Sequence, residues 1–292
     1  MAQTATASGL ENASKIIIAT SRYTEEHNAP AMALIESFSL PSGAKQVTVP
    51  KVGQMTVSDL TDGVDIVDDE DIGMTTVDLT ASEVGAKVIL TDKLVKEQQD
   101  NVFAIIGKQL GDAMARKKDT DVHSLYATLN GSTTVGAATK YMKSSNVHGA
   151  IAYAKANRFG SDVYILHHPN AVAYLSKEVA TVAAAASNAI PDGYSADLLK
   201  NFWSGLRPMN NVPIFEDGNL AVDSSDDATG VIASKGAMAV LNSVETKKEE
   251  QRDASLRATE IVMTSDYGVF ELDDTKGAGF ILDAAALSTS AS

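Results

Sequence analysis

From Thr91 to Leu129 the apolar residues recur at steps of three and four: Leu94, Val95, Val102, Ile105, Ile106, Leu110, Met114, Val122, Leu125, Tyr126 and Leu129. That spacing lays one stripe along an amphipathic helix. Thr91 or Asp92 caps its start, because a side-chain oxygen there accepts from the unpaired amides of the first turn. Asn130-Gly131 ends it, glycine being the usual residue of a left-handed C-terminal cap. At ~1.5 Å per residue the predicted rod is roughly 55–60 Å long, more than a compact domain of this size uses internally. Gly107 and Gly111 sit one turn apart on it and either admit another backbone or mark a bend.

Before the helix the period changes to two. Val47, Val49 and Val52, then Val77 and Leu79, then Val84, Ala86, Val88 and Leu90 predict two extended arms spanning Val47 to Leu90. The tip between them is acidic: Asp59, Asp62, Asp65, Asp68, Asp69, Glu70 and Asp71, with no Lys or Arg from Val52 to Ala86. A two-stranded ribbon buries too little apolar surface to hold itself together in water. It must lie on something, and a neighbouring copy of the chain is the expected cover. Upstream, Tyr23 to Phe38 gives a mixed helical pattern (Met32, Leu34, Ile35, Phe38) interrupted by Pro30, and Pro41-Ser42-Gly43 is a turn. The first forty residues read as an arm that is either disordered or docked on a partner, and its Ile and Phe content favours docking.

Downstream, Gly131 to Lys140 reads as a loop. From Asn146 strands and helices alternate: helix at Val147–Asn157, strand at Val163–Leu166, and helix at Asn170–Glu178, followed by an alanine-rich stretch that is helix or loop. A short helix at Asp197–Trp203 and strands at Val212–Phe215 and Val231–Ala233 follow, with helix or strand at Ala237–Leu241. This predicts a mixed α/β domain of roughly a hundred residues. Arg257–Thr264, Val269–Leu272 and Gly279–Leu282 return to extended structure around the turns Asp266-Tyr267-Gly268 and Asp273-Asp274.

Composition narrows the function. Among 292 residues there is no cysteine, which excludes a disulfide framework, a thiolate metal site and a cysteine nucleophile. No basic n-region precedes an apolar run at the N-terminus, and no run approaches ~18 apolar residues, so neither a signal peptide nor a membrane span is expected. The formal charge of −14 argues against a chain that grips nucleic acid, which needs a basic face to displace counterions. It suits one that encloses nucleic acid without adhering to it.

Candidate chemistry is thin. Gly131–Gly136 is half of a phosphate loop, but Ala137-Ala138 stand where Lys-Ser/Thr must follow. His167-His168 point to opposite faces of a strand, so a structural place at the strand end is expected rather than a metal pair. Asp223 to Gly230 has a calcium loop's composition without its alternating ligands or terminal Glu, and reads as a solvated turn. Ser234 lacks the residues of a nucleophile elbow. No catalytic residue, cofactor or metal site is predicted.

The order of segments carries a resemblance. An arm leads to a hairpin opening Val47-Thr48-Val49-Pro50 and passing Leu60-Thr61-Asp62-Gly63. Glu83-Val84-Gly85-Ala86-Lys87-Val88 then enters the long helix containing Gly111-Asp112-Ala113-Met114-Ala115. A central α/β domain contains Val163-Tyr164-Ile165-Leu166-His167-His168-Pro169 and Asn211-Val212-Pro213-Ile214. The chain closes on Arg257-Ala258-Thr259-Glu260-Ile261 and Asp266-Tyr267-Gly268-Val269. This resembles the major capsid proteins of tailed double-stranded DNA bacteriophages, with the α+β Hong Kong 97-like fold. The resemblance spans nearly the whole chain and rests on segment order, since the family has no invariant catalytic signature.

The resemblance implies an N-terminal arm (residues 1–40), an E-loop hairpin with flanking strands (41–90) and a first part of the peripheral domain carrying the spine helix (91–145). An axial domain (146–244) and peripheral return strands with a tail (245–292) complete it. It implies a non-enzymatic virion protein that assembles in the host cytoplasm, as hexamers and pentamers, into an icosahedral shell around DNA. Its partners would be a portal, a separate scaffold protein and a decoration protein; the lack of a long charged scaffolding segment implies a separate scaffold or a mature chain. The hairpin tip has no lysine (Lys45, Lys51 and Lys87 lie at its base), so the isopeptide cross-link of some relatives is not expected. The acids Asp65, Asp68, Asp69, Glu70 and Asp71 either meet Arg116, Lys117, Lys118, Lys247, Lys248 or Arg252 of an adjacent subunit, selecting register more than supplying affinity, or serve only to keep an unassembled ribbon soluble. The alternatives are an encapsulin-like nanocompartment shell, identifiable by cargo genes, and a soluble α/β enzyme, which would need a deep pocket with convergent polar groups.

Overall fold

The computed structural model describes residues 30–51, 59, 62, 74–97, 102–185 and 212–287. Residues 1–29, most of the hairpin tip and the predicted helix at 197–203 lie outside them. The described chain builds two sheets, each with its own apolar core, and a separate two-stranded ribbon.

The first sheet has the order β1 (Glu36–Ser39), β9 (Met238–Asp253), β10 (Ala258–Glu271), β4 (Ser82–Thr91). β4 alternates as its sequence demands. Val84, Ala86 and Val88 stand opposite Ser265, Met263 and Ile261 of β10, making one apolar face from cross-strand pairs. β4 runs straight into a short helix, α2 (Asp92–Glu97), and α3 (Val102–His123) follows. Leu94 of α2 and Leu110 and Met114 of α3 close a small core with Leu90, Ile261 and Met263.

The predicted stripe is therefore real but divided. Leu94, Leu110 and Met114 serve this sheet, while Val122, Tyr126 and Leu129 enter the larger core. The regular helix ends at His123, earlier than expected. Beyond it Leu125, Tyr126 and Thr128 donate to carbonyls three residues back, so the chain tightens before reversing. Asn130, Gly131 and Ser132 then take left-handed φ values of 61°, 58° and 63°, which places the stop where Asn-Gly predicts it. A Cβ at Gly107 or Gly111 would meet nothing within 4 Å, so no segment of the described chain approaches there.

The second sheet has the order β5 (Val135–Tyr141), β11 (Gly277–Asp283), β8 (Asp227–Ser234), β6 (Val163–His167), β7 (Ile214–Glu216). All five residues of β6 are buried, between helices α4 (Ser144–Ala156) and α5 (Pro169–Ala185) and the neighbouring strands. Ile151, Phe159, Ile165, Leu166, Leu175, Ile232 and Phe280 fill this core.

Several expectations need correction. Gly131–Lys140 is not simply a loop: Val135 onward pairs with β11, with Gly136 and Thr139 at positive φ, and a side chain on Gly136 would collide with the Ile281 carbonyl. Gly279–Leu282, grouped by chain order with the return strands of the first sheet, instead pairs antiparallel with β8 in the second. The Asp266-Tyr267-Gly268 turn does not exist. A register shift between Thr264 and Tyr267 absorbs the irregularity, and β10 continues through it. The helix within Tyr23–Phe38 is, in its described part, one turn, α1 (Ala31–Leu34). Its successor β1 runs parallel to β9, with Ala31 and Ile35 buried in the main core. The end of the predicted arm thus belongs to the folded body. The alanine-rich segment is helical to Ala185, and Met238–Leu241 is strand.

Candidate functional site

The return arm of the predicted hairpin is divided between two sheets. β2 (Gln46–Lys51) pairs antiparallel with β3 (Thr75–Thr80), and these two strands form a sheet of their own. Ser82 to Leu90 leave it for β10. Leu79, opposite Val47, is fully buried at the base, and at the outer end of the paired strands Lys51, opposite Thr75, bonds Asp273 at 2.5 Å. Between these two anchors the ribbon is thinly covered: Val47, Val49 and Val77 are half-buried and Met74 is 64% exposed. Of the tip acids, Asp59 and Asp62 are exposed. Asp65, Asp68, Asp69, Glu70 and Asp71 lie outside the described residues.

The six basic candidates are dispersed. Arg116 is exposed on α3. Lys117 bonds Asp121 one turn on, and Lys118 lies 5.1 Å above the Tyr267 ring, whose hydroxyl donates to Asp121 at 2.7 Å. Burial against that ring holds the Lys118 ammonium below its ordinary value. Lys247 is exposed on the outer half of β9. Lys248 pairs with Glu250 at 2.6 Å, and Arg252 forms a two-pronged pair with Asp92, whose carboxyl is lowered by that hydrogen bond. Asp92 is thus an ion-pair partner more than a helix cap. Lys117, Lys248 and Arg252 already have partners within the chain, so a contact to a neighbour's acids would exchange these exposed pairs.

His167 has the expected structural place. Its Nε2–H donates to the Phe280 carbonyl at 3.1 Å, and its Nδ1 accepts from the His168 amide at 2.9 Å. That fixes the tautomer, and burial pushes the ring down to about 4. Asp223 caps an exposed turn by accepting from the amides of Ser225 and Asp227.

A second polar cluster escaped sequence reading. Asp119 and His123 occupy one face of α3, a turn apart, and Asp217 follows β7 directly. His123 Nε2–H donates to Asp217 Oδ2 at 2.9 Å and lies 3.5 Å from Asp119 Oδ2. Ala31 N–H donates to Asp119 Oδ1 at 3.1 Å, and the Asn219 side chain to Asp119 Oδ2 at 3.1 Å. The Asn219 backbone N–H donates to Asp217 Oδ1 at 2.8 Å. Both carboxylates are fully buried. Burial and then a hydrogen bond to Asp217 push the Asp119 carboxyl up to about 7. Burial also raises Asp217, but hydrogen bonds from His123 and Asp119 outweigh it, so Asp217 is the member that stays ionised. The spacing of Asp119 and His123 was a visible signal. Asp217, 94 residues beyond His123, was not.

Two open clefts flank these features. One of about 700 Å³ lies between the outer end of the paired strands and the body, lined by Val49, Lys51, Arg158 and Lys276; one of about 420 Å³ borders His123 and Asn219. No helix among the described residues is long and apolar enough to cross a membrane.

Residues 74–279 match the family described as phage capsid protein. No curated protein matches the chain in sequence. In structure the chain is similar to the head of Helicobacter pylori bacteriophage KHP40, with a TM-score of 0.67 at 12% identity over 90% of this chain and 94% of that one. It is also similar to the capsid of Ralstonia phage GP4, with a TM-score of 0.64 at 13% identity over 88% and 89%. A third similar structure is the capsid of a native GTA particle, with a TM-score of 0.62 at 10% identity over 92% and 99%. At such identities the likeness speaks for the fold.

Proposed function

Since this chain belongs to the phage capsid protein family, it is a structural protein of the virion capsid, and we propose that its ribbon completes itself only on a neighbouring subunit. The observation carrying this reading is the pairing of β2 with β3 alone, with Met74 exposed at the outer end. Apolar area covered along the ribbon supplies affinity at about 25 cal/mol per Å² before the costs of association.

In this reading hexamers and pentamers form around the five-stranded sheet, which corresponds to the axial domain of residues 146–244 with β5 and β11 added. The four-stranded sheet, including β1 and β4, and α3 are the peripheral part, and the arm before Ala31 and the ribbon of β2 and β3 reach across neighbours. Asp65, Asp68, Asp69, Glu70 and Asp71 set the register against Arg116, Lys117, Lys118, Lys247, Lys248 or Arg252 of the adjacent subunit. The −14 charge lets the shell hold DNA without gripping it. A scaffold protein, a portal and a decoration protein are the further partners, and assembly takes place in the host cytoplasm. The role is structural and non-enzymatic. The nanocompartment and soluble-enzyme alternatives are disfavoured by the phage capsid match over residues 74–279.

Replacing residues 52–73 with a short Gly-Ser turn tests the proposal. The variant is expected to fold, with an unchanged urea midpoint, and to form no shells in electron micrographs. Normal shells from it would refute the reading.

A further inference from the structure

The Asp119, His123 and Asp217 cluster has no part in the assembly reading, and its geometry points to a ligand. The inner oxygens of both carboxylates and Nε2 of the imidazole converge, each within 4.8 Å of the others. Each outer oxygen is held by a backbone amide, Ala31 for Asp119 and Asn219 for Asp217. This is how an outer shell aims carboxylates at a bound ion. The imidazole side chain is 7% exposed. Its Nδ1 is buried with no protein partner, so the two carboxylates are the ring's only described polar attachment.

We propose that Asp119, His123 and Asp217 bind one divalent transition-metal ion, with zinc the best fit. Ligand atoms around a tetrahedral zinc lie ~3.3 Å apart, given metal–ligand distances of ~2.0–2.1 Å. The separations of 2.9 Å and 3.5 Å from Nε2 to the carboxylate oxygens bracket that value, so little movement is needed. One imidazole with two carboxylates suits zinc, cobalt or manganese rather than calcium, which takes six or more oxygens. A +2 ion also balances two carboxylates whose burial is otherwise costly. The cleft of about 420 Å³ lined by His123 and Asn219 lies beside the cluster. Because Ala31 binds Asp119, the ion would tie together the end of the arm, the spine helix and the loop after β7.

The test uses the full-length unassembled chain, stripped with chelator and titrated with zinc and with cobalt. Expected are one ion per chain by mass spectrometry, intense cobalt d–d bands of a four-coordinate site, and a melting temperature raised by zinc and returned by chelator. His123→Gln should weaken binding by about 100-fold or more, whereas His148→Gln, on the exposed face of α4, should not. Equal zinc uptake by wild type and His123→Gln, or uptake below a tenth of an ion per chain, would overturn the proposal. Should His123→Gln not fold, X-ray absorption on the zinc-loaded wild type decides. A first shell of one imidazole nitrogen and carboxylate oxygens supports the site, and a shell without imidazole refutes it.

Discussion

Replacing Leu110 with Ala should loosen one half of the subunit and leave the other intact. Leu110 is 6% exposed and belongs to a core of six buried residues, Leu90, Leu94, Leu110, Met114, Ile261 and Met263. A buried Leu→Ala change costs the transfer free energy of the lost methyls plus a cavity term, about 2–5 kcal/mol in all. The lower part of that range applies here, because Val84, Val88, Val95 and Ile106 around this core are only partly buried and can settle inward. A loss of about 2–3 kcal/mol multiplies the local opening constant by roughly 30–150. Native-state hydrogen exchange should therefore show faster exchange at Val84–Val88 of β4 and Ile261–Met263 of β10. Ile165–Leu166 of β6 and Val231–Ala233 of β8 should keep wild-type rates, because their core is separate. Equal acceleration in both sheets would refute the division into two cores and make the subunit one cooperative unit.

Three further outcomes follow from single contacts. His167 is held at about 4 by burial, so the unfolded chain takes up a proton that the folded chain refuses. This contribution is intact above pH 6.5 and is lost as pH falls toward 4, about 3 kcal/mol in full; His167→Gln should flatten the fall in urea midpoint between pH 7 and 4.5, and an unchanged fall would contradict it. Gly230→Ala drives a methyl into the Leu166 carbonyl and the His167 ring; it should cost about 2–3 kcal/mol in urea unfolding, and a loss below ~0.5 kcal/mol would mean β8 passes β6 less closely than described. Lys117→Glu combined with Lys118→Glu should abolish shells while the thermal transition of the subunit survives, and normal shells would remove the tip-to-helix pairing.

The parts of this fold that follow from local pattern were legible in the sequence. Val84, Ala86 and Val88 alternate because one face of β4 lies under α3, and the Leu94–Leu129 stripe exists because a helix must cover something along its length. The Asn130-Gly131 stop was readable because its left-handed backbone favours these residues. What was not legible depends on contacts distant in sequence. Nothing in Gly277–Asp283 says whether its partner is β8 or β10, since apolar strands of that length fit either sheet. The bulge near Ser265 imitates a turn in sequence because Asp-Tyr-Gly serves both. The partition of the stripe between two cores required knowing where the sheets lie. The buried cluster needed Asp217 carried across the fold to His123, and spacing along one helix supplies only two of its three members.

The central claim is that this polypeptide is completed by its own copies. It is tested most directly by following hydrogen exchange across residues 46–80 in the isolated subunit and in particles verified by electron microscopy. The account predicts icosahedral shells in which amides of β2 and β3 are strongly protected, against rapid exchange of the same amides in the isolated subunit. Equal protection in a single subunit at high concentration, with no shells formed, would contradict it.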